Sequence, residues 1–231
     1  MDGKWFPSAM ARRLFLTRLC VGAGVAGAAA LRSPAAMPQA ATDAQWKPAR
    51  HAQDDWYDKI PGTHRYVFDT STADGIGWSL QFATNYYTTS EQAYGLKDSD
   101  LAVIIVARHK ATSFAYNDAI WAKYGKQIAE QAEFVDPKTK EAPKINVYGP
   151  AGETAQAGKM EALIKKGVQF AVCSTSTRGI ATRIAKANSL EVDNVVKEIT
   201  SNLIGNARMV PAGVLAVNRA QEHGYSFIYA T

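Results

Sequence analysis

The segment LAVIIVA, Leu101 to Ala107, carries seven consecutive apolar side chains without a polar interruption. A strand with one wet face alternates apolar and polar residues, and a surface helix shows an apolar stripe of helical period. A short run that is apolar on both faces and rich in Val and Ile fits a strand covered on both sides, as in a parallel sheet flanked by helices. Around it, strand-like and helix-like segments alternate. RYVFDT (65–70) is alternating and β-prone. STADGIGWSLQFATNYY then places Ile76, Leu80, Ala83 and Tyr87 on one helical face, with Trp78, Phe82 and Tyr86 beside it and Thr72 or Asp74 positioned as a cap. AYNDAIWAKYGKQIAEQAEF repeats Ile120, Tyr124 and Ile128 at helical spacing, with Asn117 and Asp118 as helix-start residues.

Further along, INVY predicts a short strand within a turn-rich excursion, and GETAQAGKMEALIKKG a helix ending at Gly167. VQFAVC (168–173) reads as a strand and TRGIATRIAKA as a helix. Val192, Val195, Val196, Ile199 and Leu203 form the clearest amphipathic pattern in the chain. ARMVPAG, VLAVNRAQEHG and YSFIYA close it as strand, helix and strand. The alternation predicts an α/β sandwich with a mainly parallel sheet and right-handed crossovers. Ligands in such folds bind at the carboxyl ends of strands. Those ends fall at Asp69–Thr72, Arg108–Thr112, Tyr148–Gly152 and Cys173–Thr177. Neither a GxGxxG after the first strand nor a phosphate-binding GxxxxGK[ST] is present, so no nucleotide cofactor is expected.

The first 41 residues differ from the rest. A basic start with Arg12, Arg13 and Arg18 precedes the short apolar run VGAGVAGAAAL and an Ala/Pro-rich stretch, the three-part layout of an export leader. ARRLFLT resembles the twin-arginine export signal, matching its paired arginines and Phe-Leu but not its flanking Ser/Thr and Lys. The apolar run is shorter than the roughly 20 residues a membrane span takes. Cleavage near Ala40 or Ala41 would deliver the remainder to the periplasm or another exported location. Residues 42–62, polar and containing Trp46 and Trp56, read as a linker or docked arm, and residues 63–231 as the α/β domain. Without the leader the net charge falls from +5 to about +1, which removes any case for nucleic-acid binding.

Cleavage would also remove Cys20 and leave Cys173 as the lone thiol. An odd cysteine in an exported protein points to a reactive thiol or an intermolecular bridge, and free Cys is also a common buried residue. Cys173 ends its strand immediately before a helix that Ser174, Thr175, Ser176 or Thr177 would cap. There an anionic sulfur or other small anion would meet unpaired helix N–H groups, with Arg178 adding positive charge. His109 ends the LAVIIVA strand and should emerge at the same edge as a proton carrier. Arg108 beside it is either an anion ligand or a structural ion-pair partner. Asp69 ends the first strand and would form a cysteine-hydrolase arrangement with Cys173 and a nearby Lys, but no Lys is obviously placed for it; an Asp in DTSTADG more often caps a turn. No Cys/His cluster has metal-ligand spacing, so no metal is expected.

GVQFAVCSTSTRGIA, preceded by MEALIKKG and followed by VPAGVLAVNRAQEHGYSFI, resembles the DsrE/DsrF-like proteins of bacterial sulfur metabolism over roughly His64 to Ile228. The resemblance implies a three-layer Rossmann-like sandwich that assembles as a homo-oligomer: a dimer, trimer or hexamer. It also implies a persulfide carried on the matching cysteine, Cys173, as in a sulfurtransferase or sulfur carrier. The partners would be a sulfur donor or acceptor protein or a small sulfur compound. The export leader departs from the cytoplasmic relatives. A non-catalytic module binding a small anion or metabolite at the same strand ends is the alternative.

Overall fold

The computed structural model describes residues 47–231, so the leader, Cys20 and Trp46 lie outside the described residues. In chain order the elements are α1 (Trp56–Lys59), β1 (His64–Thr70), α2 (Ala73–Tyr94), β2 (Leu101–Ala107), α3 (Asp118–Ala132), α4 (Lys159–Lys165), β3 (Gln169–Cys173), α5 (Ser174–Asn188), α6 (Val192–Thr200), β4 (Ala207–Val210), α7 (Gly213–Glu222) and β5 (Ser226–Ala230). A 3-10 helix, His109–Ala115, follows β2. The strands form one five-stranded sheet in the order β4-β3-β2-β1-β5. Every pairing is parallel. The chain is thus an α/β three-layer sandwich of Rossmann-like type.

The period-two pleat sorts β2 between two cores. Leu101, Val103, Ile105 and Ala107 join Phe68, Phe170 and Val172 under the helices α2 to α6. Ala102, Ile104 and Val106 join Val67, Ala171 and Val210 on the opposite face. All seven β2 residues are buried, as the unbroken apolar run requires.

Among the described residues that opposite face has a single long cover, α7, through Ala216 and Ala220. The rest of its cover comes from the segment before β1. Tyr57 and Ile60 are core residues there, and Trp56 packs against them. The Tyr57 hydroxyl donates to the Ala216 carbonyl at 3.1 Å, and the Tyr225 hydroxyl donates to the Tyr57 carbonyl at 2.8 Å. Arg219 Nε holds Asp54 at 2.8 Å. The compact unit therefore runs from Pro48 to Thr231. Residues 48–62 are a strap built into the domain rather than a linker ahead of it.

Two sequence expectations need correction. INVY is not a strand. Asn146 instead ties its segment into a turn, donating from Nδ2 to the carbonyls of Phe114 and Tyr116 and accepting from Tyr148 N–H. The helix expected from Gly152 begins only at Lys159, after Gly158 in the left-handed region at φ +77°. Elsewhere, Thr72 caps α2 by accepting from Gly75 N–H, and Asn117 caps α3 by accepting from Ala119 and Ile120 N–H.

Candidate functional site at the carboxyl ends of the strands

Adjacent strands β3 and β4 send their following helices to opposite faces. The apolar side of α5, with Ile180, Ala181 and Ile184, packs in the larger core, whereas α7 packs in the other. Such a divergence opens a crevice beyond the strand ends, the usual ligand position in open α/β sheets. Cys173, the last residue of β3, lies there, in register with Val210.

The sulfur itself caps α5. Cys173 is the N-cap residue, and its Sγ accepts from Ser176 N–H at 3.4 Å. The cap expected from Ser174 to Thr177 is therefore supplied by the cysteine. Thr175 Oγ1 instead donates to the Pro211 carbonyl at 3.2 Å, bridging β3 to the end of β4. Ser176 Oγ accepts from His109 N–H at 3.0 Å. Thr177 is fully buried and hydrogen-bonded to the Tyr116 hydroxyl at 2.9 Å. Ser174, half-buried, opens the helix. A helix N-terminus capped by sulfur is a position that tolerates negative charge on that sulfur.

The cation of the site is Arg108 rather than Arg178. Arg178 points outward to Asp193 at 3.0 Å, both residues largely exposed. Arg108 follows β2, the strand beside Cys173, and is a two-point partner of Asp69, with Nε to Oδ1 at 2.7 Å and Nη2 to Oδ2 at 2.8 Å. The paired carboxylate holds Arg108 firmly protonated, and the neighbouring Tyr229 and Cys173 act in the same direction. Both oxygens of Asp69 face a strand that lies between it and β3. Asp69 therefore serves Arg108 and is not a base for the thiol.

Two residues missed by sequence reasoning complete this wall. The Arg108 guanidinium carbon lies 5.7 Å from the centre of the Tyr229 ring, and the Tyr229 hydroxyl is hydrogen-bonded to Ser71 Oγ. The only signal for Tyr229 was alternation: it pairs with Asp69 in the β1–β5 register, so it shares that face. The second missed residue is Gly213, the first of α7. A Cβ there would lie 2.4 Å from Arg108 Cβ and 3.0 Å from its Cδ, so the absence of a side chain lets α7 press on the arginine stem. Ala212, the residue before α7, offers no side-chain cap to it.

His109 reaches the site by its backbone. It adopts φ +53°, its residue is exposed, and its N–H is the donor to Ser176. Its imidazole helps lower the Glu133 carboxyl after the larger effect of Lys110, which places it towards α3. Tyr116, behind the cap, has its ionisation pushed up by burial.

Two grooves lie beside this site rather than on it. One of about 240 Å3, lined by Asn117, Asp118, Asn146, Met160 and Leu203, takes Gly149 and Pro150 from the expected Tyr148–Gly152 end but none of Asp69, Arg108 or Cys173. The other, also about 240 Å3, runs between the strap, β4 and α7 and reaches Val210 and Pro211 next to Cys173.

No protein-family model matches this chain, and no curated protein matches it. Among solved structures, a protein of unknown function from Methanobacterium thermoautotrophicum is similar at 15% identity and a TM-score of 0.39, covering 72% of this chain and 99% of that chain. A likeness of that size says nothing about the site.

Proposed function

We propose that this chain is an exported, homo-oligomeric protein of the DsrE/DsrF-like kind that accepts sulfane sulfur on Cys173 and passes it on. The observation that carries this reading is the position of the thiol. Cys173 Sγ caps α5 at the crevice between β3 and β4, next to the strand that ends in Arg108. A persulfide there would keep its negative charge against the α5 N–H groups and the guanidinium. The Cys173 thiolate attacks the outer sulfur of a donor persulfide. A new S–S bond forms as the donor S–S bond breaks, and the electron pair leaves on the donor thiolate. An acceptor thiolate reverses the same exchange, so no external oxidant or reductant is needed. Intact-mass measurement after incubation with inorganic polysulfide tests this. The expected result is the gain of one sulfur, absent from Cys173→Ala. Equal gain in both proteins, or none in either, overturns it.

Export rests on the leader sequence alone and is checked by the N-terminal sequence of the secreted protein. Assembly is consistent with the exposed, stacked pair Trp78 and Phe82 on α2 and with Phe227 and Tyr229 on the edge strand β5. Light scattering reads it directly.

The 5% exposure of Cys173 favours one second reading. In it the thiol only packs and caps, and the strand-end crevice binds a small anion without turnover. Labelling under native conditions separates the two. A thiol that reacts only after unfolding belongs to the binder.

A further inference from the structure

We propose that the groove between the strap, β4 and α7 binds a small carboxylate-bearing thiol of short-peptide size, presented to Cys173 as its persulfide. The binding half stands on the groove. The link to Cys173 rests on the sulfur-relay reading above.

One wall is an aromatic–cation stack. The Arg208 guanidinium carbon lies 4.5 Å from the centre of the Trp56 ring, and Tyr57 lies beside it. The second arginine of the groove, Arg219, is fully engaged. It binds Asp54 and Glu222 and donates to the Ala49 carbonyl. Among the described residues Arg208 has no carboxylate within ion-pair distance, and it is exposed. A guanidinium over a ring and without an ion-pair partner keeps N–H groups for a carboxylate, which it can take through two of them. Val210 and Leu215 supply apolar surface for the methylenes of a ligand. A volume of about 240 Å3 suits a molecule of amino-acid to short-peptide size.

The register supplies the reach. Arg208 pairs with Ala171, and Val210 pairs with Cys173, so Arg208 and Cys173 are two residues and one strand apart on the same face. Strand geometry makes that separation about 8 Å between Cα atoms. A carboxylate seated on Arg208 therefore leaves the sulfur of a short peptide thiol within range of the strand end. Thr175, bonded to the Pro211 carbonyl, marks where the groove meets the crevice.

Two measurements test the proposal. Calorimetry with S-methylglutathione, whose sulfur cannot be transferred, reads the groove alone. Binding to the wild-type protein and at least tenfold weaker binding to Arg208→Met is expected. No binding to the wild type, or equal binding to both, overturns the ligand assignment. The second measurement compares Cys173 persulfide formation from glutathione persulfide and from inorganic polysulfide. Arg208→Met should slow loading from the peptide donor at least tenfold and leave the inorganic donor unaffected. Equal slowing with both donors overturns the link between groove and thiol. Failure of the wild type to load from either donor defeats the relay reading itself, while the calorimetry still decides the groove.

Discussion

Arg108 and Asp69 form a two-point ion pair across neighbouring strands, and Arg108 also lies one residue beyond the Ala107–Val172 pair, in line with Cys173 on the far side of β2. One carboxylate thereby fixes the orientation of the cation that faces the thiol. Asp69 is almost completely buried, so removing its charge strands Arg108 among apolar neighbours. Asp69→Asn should lower stability by about 2 kcal/mol, below the roughly 3–5 kcal/mol for breaking a fully buried pair, because Arg108 keeps some contact with water. Urea unfolding checks this, and an unchanged midpoint would show that the pair is only decorative.

Arg108 should also select which reagents reach Cys173. Replacing it by Gln keeps a polar side chain of similar reach and removes the charge. An anionic disulfide reagent should then modify Cys173 several-fold more slowly, and a neutral dipyridyl disulfide should be little affected. A parallel loss with both reagents would mean that the substitution closed the crevice instead.

Gly213→Ala tests the close approach of α7. The added methyl would occupy space held by the Arg108 stem, so either α7 or the arginine has to shift. Overpacking of this kind costs about 1–3 kcal/mol. Thermal unfolding with and without Arg108→Gly, which removes the Cβ as well as the stem, resolves the cause. The glycine substitution should be damaging in the presence of the arginine and nearly silent in its absence.

Tyr116→Phe removes the partner of Thr177 behind the capped end of α5. The Thr177 hydroxyl is fully buried and would lose its side-chain hydrogen bond. The expected cost is about 1–3 kcal/mol. Pairing Tyr116→Phe with Thr177→Val replaces both polar groups and should recover most of it. A double variant no more stable than Tyr116→Phe would count against this hydrogen bond as the source of the loss.

The strap should be acid-labile. Asp58 Oδ2 lies 3.0 Å from Nδ1 of the buried His223, and that contact, with help from Arg50 and Arg65, lowers the Asp58 carboxyl below its ordinary value of 3.8. A carboxyl lowered in the folded state stabilises that state above the unfolded value and loses this contribution as pH falls through the folded one. Asp58→Asn should therefore melt below the wild type at about pH 5, and the gap should close as pH drops under 3.8. A gap that widens in acid would reverse the assignment. Asp58 is half-exposed, so the effect should stay under about 1 kcal/mol.

Much of the fold was legible because β2 and β3 declare themselves. An unbroken apolar run has few places to go, and helix-spaced residues such as Ile120, Tyr124 and Ile128 lie in the core as their period requires. INVY misled because its composition is strand-like while Asn146 spends the local backbone groups on a turn. The strap was half legible: a docked arm was one of two readings, and Trp56 does pack against the core. Its sequence is polar, and only Tyr57 and Ile60 enter the core. At the site, Cys173 and Arg108 were legible from their positions at strand ends. Arg178 was misassigned because proximity in sequence to Cys173 says nothing about which side of a helix a residue occupies. Tyr229 and Gly213 became visible only through register and close packing across distant segments.

The strap also sets an order on the assembly of the molecule. Its anchor, Tyr57, finds the carbonyl it binds 159 residues later, and Tyr225 returns a bond to it over 168. While the chain is emerging from a ribosome, the opening segment has nothing to close upon, and one side of the sheet stays uncovered until α7 and β5 exist. Contacts of such long range are slow to form. The clasp between the strap and the α7–β5 segment therefore carries one of the largest loop-closure costs in the domain and is expected to form late. A chain shortened beyond β4 would keep its larger core and lose the clasp.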